Sequence, residues 1–167
     1  MQREITYLPE LKLIGITERT SNAREMDPET AKIFSTIQTY AQDAWAEKIP
    51  YRKRPGTTYC VYTQYESDEH GEYTYFVGEE VSTHEVIPEG LTMLIIPAQT
   101  YVKFTNEPGA MPVVCIDIWQ KVWAMDAVEL GGRRAYLADF EVYDERARDP
   151  LQTVLDIYVG IQTARMI

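Results

Sequence analysis

The chain has 167 residues and a formal net charge of −10, and 45% of its residues are apolar. That length suits one large domain or two closely packed halves with a real core. The acidic balance argues against a phosphate-binding surface, since nucleic-acid affinity comes largely from Lys and Arg. No apolar run reaches the length of a membrane span, and Met1-Gln2-Arg3-Glu4 does not begin a secretory signal, so a cytoplasmic location with no membrane contact is expected.

The first apolar runs, within residues 3–19, read as strand. Asp27-Pro28-Glu29 reads as a helix start, with Asp as N-cap and Pro in the first turn. The helix that follows places Ile33, Phe34, Ile37, Tyr40, Ala41, Ala44 and Trp45 on one face and stops by Pro50. Residues 57–66 and 72–82 form two strands around the turn at 67–71 and predict a hairpin. Residues 91–96 and 100–104 are strands, and 111–128 is a second helix with Cys115, Ile116, Trp119, Val122 and Trp123 on its apolar face. Residues 136–144 and 153–162 make a second long hairpin.

The second half repeats the first. Tyr59-Cys60-Val61-Tyr62 aligns with Phe140-Glu141-Val142-Tyr143, and Tyr75-Phe76-Val77-Gly78 aligns with Ile157-Tyr158-Val159-Gly160. This predicts an internal duplication, with halves at about 3–85 and 90–162, each running strand, helix, strand, strand. The expected fold class is α+β: duplicated β-α-β-β units related by a pseudo-twofold, an antiparallel sheet, two main helices, and a ligand cleft between the halves. Residues 1–167 then form a single domain.

Glu141 stands out against this frame. In 138–144 the alternation puts Phe140 and Val142 on one face and Asp139, Glu141 and Tyr143 on the other. Its counterpart in the first unit is Cys60, a residue type suited to a buried position, so the Glu141 face is expected to be at least partly buried. An acid in such a wall is costly to keep charged without a partner, and a ligand cation with nearby aromatic faces meets that need. Trp119 and Trp123 lie on the second helix, Tyr62 and Phe76 occupy the matching strands of the first unit, and strand alternation suggests that Tyr158 and Asp156 share the Glu141 side. Of the two histidines, His70 with Asp68 and Glu69 forms the one conceivable metal cluster, in a turn; no metal or other cofactor is expected. The two cysteines read as free buried thiols.

Several segments together resemble the gyrase-inhibitor-like (GyrI-like) effector-binding family, found in AraC- and MerR-type regulators and as stand-alone proteins. They are Tyr59–Asp68, Gly71–Val81, Ile96-Pro-Ala-Gln-Thr-Tyr101, Trp119-Gln-Lys-Val-Trp123, Asp139–Asp144 and Asp156-Ile-Tyr-Val-Gly160. The resemblance covers about 5–162 and is strongest to the stand-alone, integron-associated type. One departure is Gln99, where the family usually has Gly. The resemblance implies a pocket in which Glu141 recognises hydrophobic, cationic, drug-like small molecules. With the first strand near Met1 and the last near the end, no DNA-binding domain and no direct nucleic-acid contact are expected, so any regulatory role would pass through a transcriptional-regulator or other protein partner. Two alternatives stay open: hydrolysis of strained electrophiles by Glu141 with Tyr143 or Tyr158, and a gyrase-inhibitor-type protein interaction.

Overall fold

A computed structural model describes residues 1–162 of the chain; the last five residues of the expected 1–167 unit lie outside the described residues. The strands are β1 (Gln2–Leu8), β2 (Leu11–Ser21), β3 (Thr58–Thr63), β4 (Glu72–Glu80), β5 (Thr92–Ile96), β6 (Gln99–Thr105), β7 (Arg133–Arg134), β8 (Ala138–Tyr143) and β9 (Asp156–Gln162). The α-helices are α1 (Asn22–Glu25), α2 (Ile33–Gln42), α3 (Trp45–Lys48), α4 (Val113–Ala124) and α5 (Ala127–Leu130).

The strands form one antiparallel sheet in the order β1-β6-β9-β8-β3-β4-β2-β5, with the short β7 paired to β9. Read from its centre outward, the order is symmetric: β3-β4-β2-β5 on one side and β8-β9-β6-β1 on the other. The expected repeat survives as β2-α2-β3-β4 and β6-α4-β8-β9. The outermost strands are exchanged, because β1 pairs with β6 of the second half and β5 with β2 of the first. At the centre, Cys60 lies directly opposite Glu141. These two residues, equivalent by the repeat, are thus also partners across the sheet, which places the local twofold between them.

The central strands are buried on both faces: β4 is buried from Tyr73 to Glu79 and β8 from Ala138 to Val142. One face holds Tyr59, Val61, Phe76, Phe140 and Val142. On the other face, α2 packs over the first half around Tyr40, Tyr75 and Val77, and α4 over the second around Trp119, Val122 and Val159. Gln99, the departure from the family pattern, begins β6. Its amide donates to the Ala138 carbonyl (3.0 Å) and sits where a Cβ on Gly160 would fall.

Both helices differ from their expected bounds. Asp27 closes a local turn, accepting from the Glu29 amide, instead of capping α2. The α2 cap is the Glu25 carboxylate, which accepts from the Lys32 and Ile33 amides (2.8 and 3.0 Å), so the helix begins at Ile33. It is interrupted at Ala44, where φ is +50°, before α3. The expected 111–128 helix ends at Ala124, and Asp126 opens α5 with a capping box.

Candidate functional site

Glu141 lies in the middle of β8 between Cys60 on β3 and Ile157 on β9. Its side chain is 3% exposed. Three neutral donors reach it. Tyr62, on the same face as Cys60, donates its hydroxyl at 2.8 Å, and Trp119 Nε1 donates from α4 at 2.8 Å, both to Oε2. Tyr143, two residues along β8 and so on the same face, donates at 2.6 Å to Oε1. These bonds satisfy the carboxylate's acceptors without supplying a positive charge. Among the described residues, Glu141 has no ion-pair partner.

Burial, and then the charge of Glu141, push the Tyr62 and Tyr143 hydroxyls well above the usual phenol value, so both keep the proton they donate. The same two causes in the same order push the Cys60 and Cys115 thiols up. They remain thiols at neutral pH and offer no thiolate nucleophile.

Glu141 borders a cavity of about 360 Å³, within the range that encloses small molecules. Tyr62, Tyr73, Tyr75 and Tyr143 form its sheet wall, Trp119 and Trp123 come from α4, and Ile33, Phe34 and Ile37 come from α2. Tyr62 is edge-on to Trp119 (5.4 Å between ring centres) and tilted against Tyr75 (5.3 Å), so the rings brace one another. Phe34 and Trp123 are 70% and 57% exposed, so the apolar stripes of α2 and α4 form the cavity's outer wall.

Asp139, on the same strand face, has a different role. It is fully buried, and accepts from Arg134 (2.7 Å), from the Gly160 amide (2.7 Å) and from the Tyr65 hydroxyl. Its charge is matched within the protein, whereas that of Glu141 is not.

Of the residues singled out in sequence, Glu141, Tyr62, Tyr143, Trp119 and Trp123 come together around the cavity. Two do not. Tyr158 faces the opposite side of the sheet: it pairs with Phe140, not Glu141, and stacks on that ring at 4.7 Å. Asp156 pairs with Val142 on that same side and binds Thr105 and Arg146. Phe76 pairs with Val61 and is fully buried in the core of that face. Sequence reading passed over Tyr65, Tyr73 and Tyr75; the last two share a face of β4 by alternation, which is the signal that could have found them. Among the described residues, no group of three or more His, Cys, Asp or Glu side chains is placed to hold a metal ion.

The sequence profile of the integron-associated effector-binding proteins, Cass2, matches residues 4–161. The chain belongs to this family. The candidate transcriptional regulator YobU of Bacillus subtilis (strain 168) is 30% identical over 158 residues, spanning 95% of this chain and 96% of YobU. The integron cassette protein VCH_CASS2, from the mobile metagenome of Vibrio cholerae, superposes with a TM-score of 0.76 at 28% identity, over 96% of this chain and 95% of that one. SAV2435, solved bound to tetraphenylphosphonium, superposes with a TM-score of 0.77 at 17% identity, over 97% of this chain and 94% of its own. At that identity the likeness establishes the shared α+β effector-binding fold. Among the described residues, no helix of this family member is long and apolar enough to cross a membrane.

Proposed function

We propose that this protein is an effector-binding module whose cavity takes a hydrophobic organic cation, with Glu141 as the counter-charge. The observation that carries this reading is a carboxylate 3% exposed, held by three neutral donors, facing an aromatic cavity and without an ion-pair partner among the described residues; Arg134, which also lines the cavity, is paired with Asp139. A buried charge is tolerated when it is both hydrogen-bonded and paired. The protein supplies the hydrogen bonds, and a bound cation supplies the pairing. The surrounding rings add cation–π attraction, about 0.5–2 kcal/mol per contact. The tetraphenylphosphonium bound by SAV2435, which shares the fold, supports the same ligand class.

The resemblance to YobU supports a link to transcription, with ligand occupancy signalled to a cytoplasmic protein partner. Direct contact with nucleic acid is disfavoured by the net charge of −10.

Size-matched ions test the charge recognition. Tetraphenylphosphonium, tetraphenylborate and neutral triphenylphosphine oxide are compared by thermal shift. A ligand at a hundred times its Kd stabilises the fold by about 2.7 kcal/mol, which is readily seen as a higher Tm. The phosphonium is expected to raise Tm and the borate is not. An equal shift with both ions would show that the cavity selects bulk rather than charge.

A second reading, hydrolysis of strained electrophiles, is favoured by one contact, the 2.6 Å bond between the Tyr143 hydroxyl and Glu141. That pair could orient a water for attack. Mass spectrometry of products after incubation with epoxides separates it from binding alone: turnover that disappears in Glu141→Gln would establish it.

A further inference from the structure

A second cavity of about 720 Å³ adjoins the first. Six residues wall both: Asn22, Glu25, Glu69, Trp123, Arg134 and Tyr136. Tyr136 is the unusual member. Its φ of +50° lies in the left-handed region, a strained conformation for a bulky side chain. Its ring stands edge-on to Tyr65 (5.6 Å) and lies over the Arg134 guanidinium (4.5 Å). Its hydroxyl donates to the Glu69 carboxylate. Tyr136 follows β7 in the second half of the chain. Glu69 sits in the β3–β4 turn of the first half, where its carbonyl accepts from the Asn22 side-chain Nδ2 (3.0 Å). The hydrogen bond therefore joins the two halves at the wall between the chambers.

We infer that Tyr136 is a specificity-determining residue that divides the effector site by length. Latched to Glu69, it confines compact cations to the inner chamber beside Glu141. A cation with a long apolar tail binds only when Tyr136 swings aside and the tail enters the outer chamber, along Val122, Met125 and Leu130. Two features make this wall movable. The latch is one hydrogen bond to a carboxylate on an exposed turn, and Tyr136 holds a strained backbone conformation while closed.

The inference rests on the proposed cation site, and the experiment separates the two. Tetraphenylphosphonium is the compact probe and hexyltriphenylphosphonium the elongated one, each titrated by calorimetry into the full chain and its variants. Tyr136→Gly removes the ring and suits the backbone conformation. Because a closed gate lowers apparent affinity by the fraction of open protein, this variant is expected to bind the hexyl cation about tenfold more tightly or better, with the tetraphenyl cation changed by less than about threefold. Tyr136→Phe keeps the ring and loses the latch; it is expected to speed association of the hexyl cation in stopped-flow quenching of Trp fluorescence. Tyr136→Gly shifting both cations equally, or neither, would overturn the gate while leaving the cation site standing. Failure of both cations to bind the unmodified protein would overturn the cation site and the gate with it.

Discussion

Glu141→Gln isolates charge from shape. The amide oxygen can take the Oε2 position and accept from Tyr62 and Trp119 as the carboxylate does. The amide nitrogen then faces the Tyr143 hydroxyl, which reverses its role and accepts. Packing is preserved, so the unfolding free energy is expected to move by no more than about 1 kcal/mol. Ligand affinity should respond differently. At about 5 Å and an effective dielectric constant near 20, removing one of two opposite unit charges forfeits about 3 kcal/mol, roughly a hundredfold in Kd. Given the spread of measured buried pairs, a loss of about 2–5 kcal/mol is expected for tetraphenylphosphonium. Triphenylphosphine oxide, of similar bulk and no net charge, should lose under about 1 kcal/mol. Isothermal titration calorimetry of both ligands on both proteins gives the difference directly. Equal losses for the two ligands would refute charge recognition by Glu141 and leave it a structural acid.

Tyr158→Phe is expected to leave tetraphenylphosphonium affinity within about twofold, because its ring lies across the sheet from the cavity; a large loss by calorimetry would contradict the face assignment. Arg134→Met leaves Asp139 buried with its charge unmatched, at an expected cost of about 3–5 kcal/mol in urea unfolding; a cost under about 1 kcal/mol would mean that the tyrosine and amide donors suffice. Burial pushes the Glu79 carboxyl up, and the Gly56 amide and Arg52 only partly oppose it. The folded state therefore holds this proton more tightly than the unfolded chain. Glu79's contribution to stability is full below the ordinary carboxylate value of about 4 and is lost as pH rises through the folded value. Glu79→Gln, which mimics the protonated form, should gain stability relative to the unmodified protein across that rise. A difference in urea midpoints that stays flat with pH would refute it.

Local alternation was legible in sequence, and relations between strands were less so. The face shared by Asp139, Glu141 and Tyr143 follows from the two-residue period of β8 alone, and the burial of Glu141 was foreshadowed by Cys60 at the equivalent place. Tyr158 went astray for a physical reason. Alternation orders faces within a strand, but the register between β8 and β9 depends on their partners and on the long 144–155 connection. The start of α2 was hidden for a similar reason. Its cap is Glu25, brought to the helix by the end of β2 and α1, while Asp27, with a better local signature, closes a turn instead. The part of α2 in the cavity wall was not legible, because a helix stripe facing a chamber and one facing a packed interior carry the same residues. Phe34 shows this, being apolar in pattern and mostly exposed in place.

The symmetry of the sheet explains why the acid occurs once. Duplicated units carry equivalent residues, and at most positions the two copies end far apart. At the local twofold they are neighbours: Cys60 and Glu141 are equivalent by the repeat and directly opposed on β3 and β8. Side chains so opposed stand about 4.5–5.5 Å apart at Cβ. Two carboxylates there would repel in a buried setting and force one of them to take up a proton. A small, uncharged residue on one copy avoids that conflict and leaves room for the Tyr62 hydroxyl to reach across to Glu141. The site's asymmetry therefore follows from where it lies. An acid placed on the axis of a duplicated fold can serve both halves, provided that only one half supplies it.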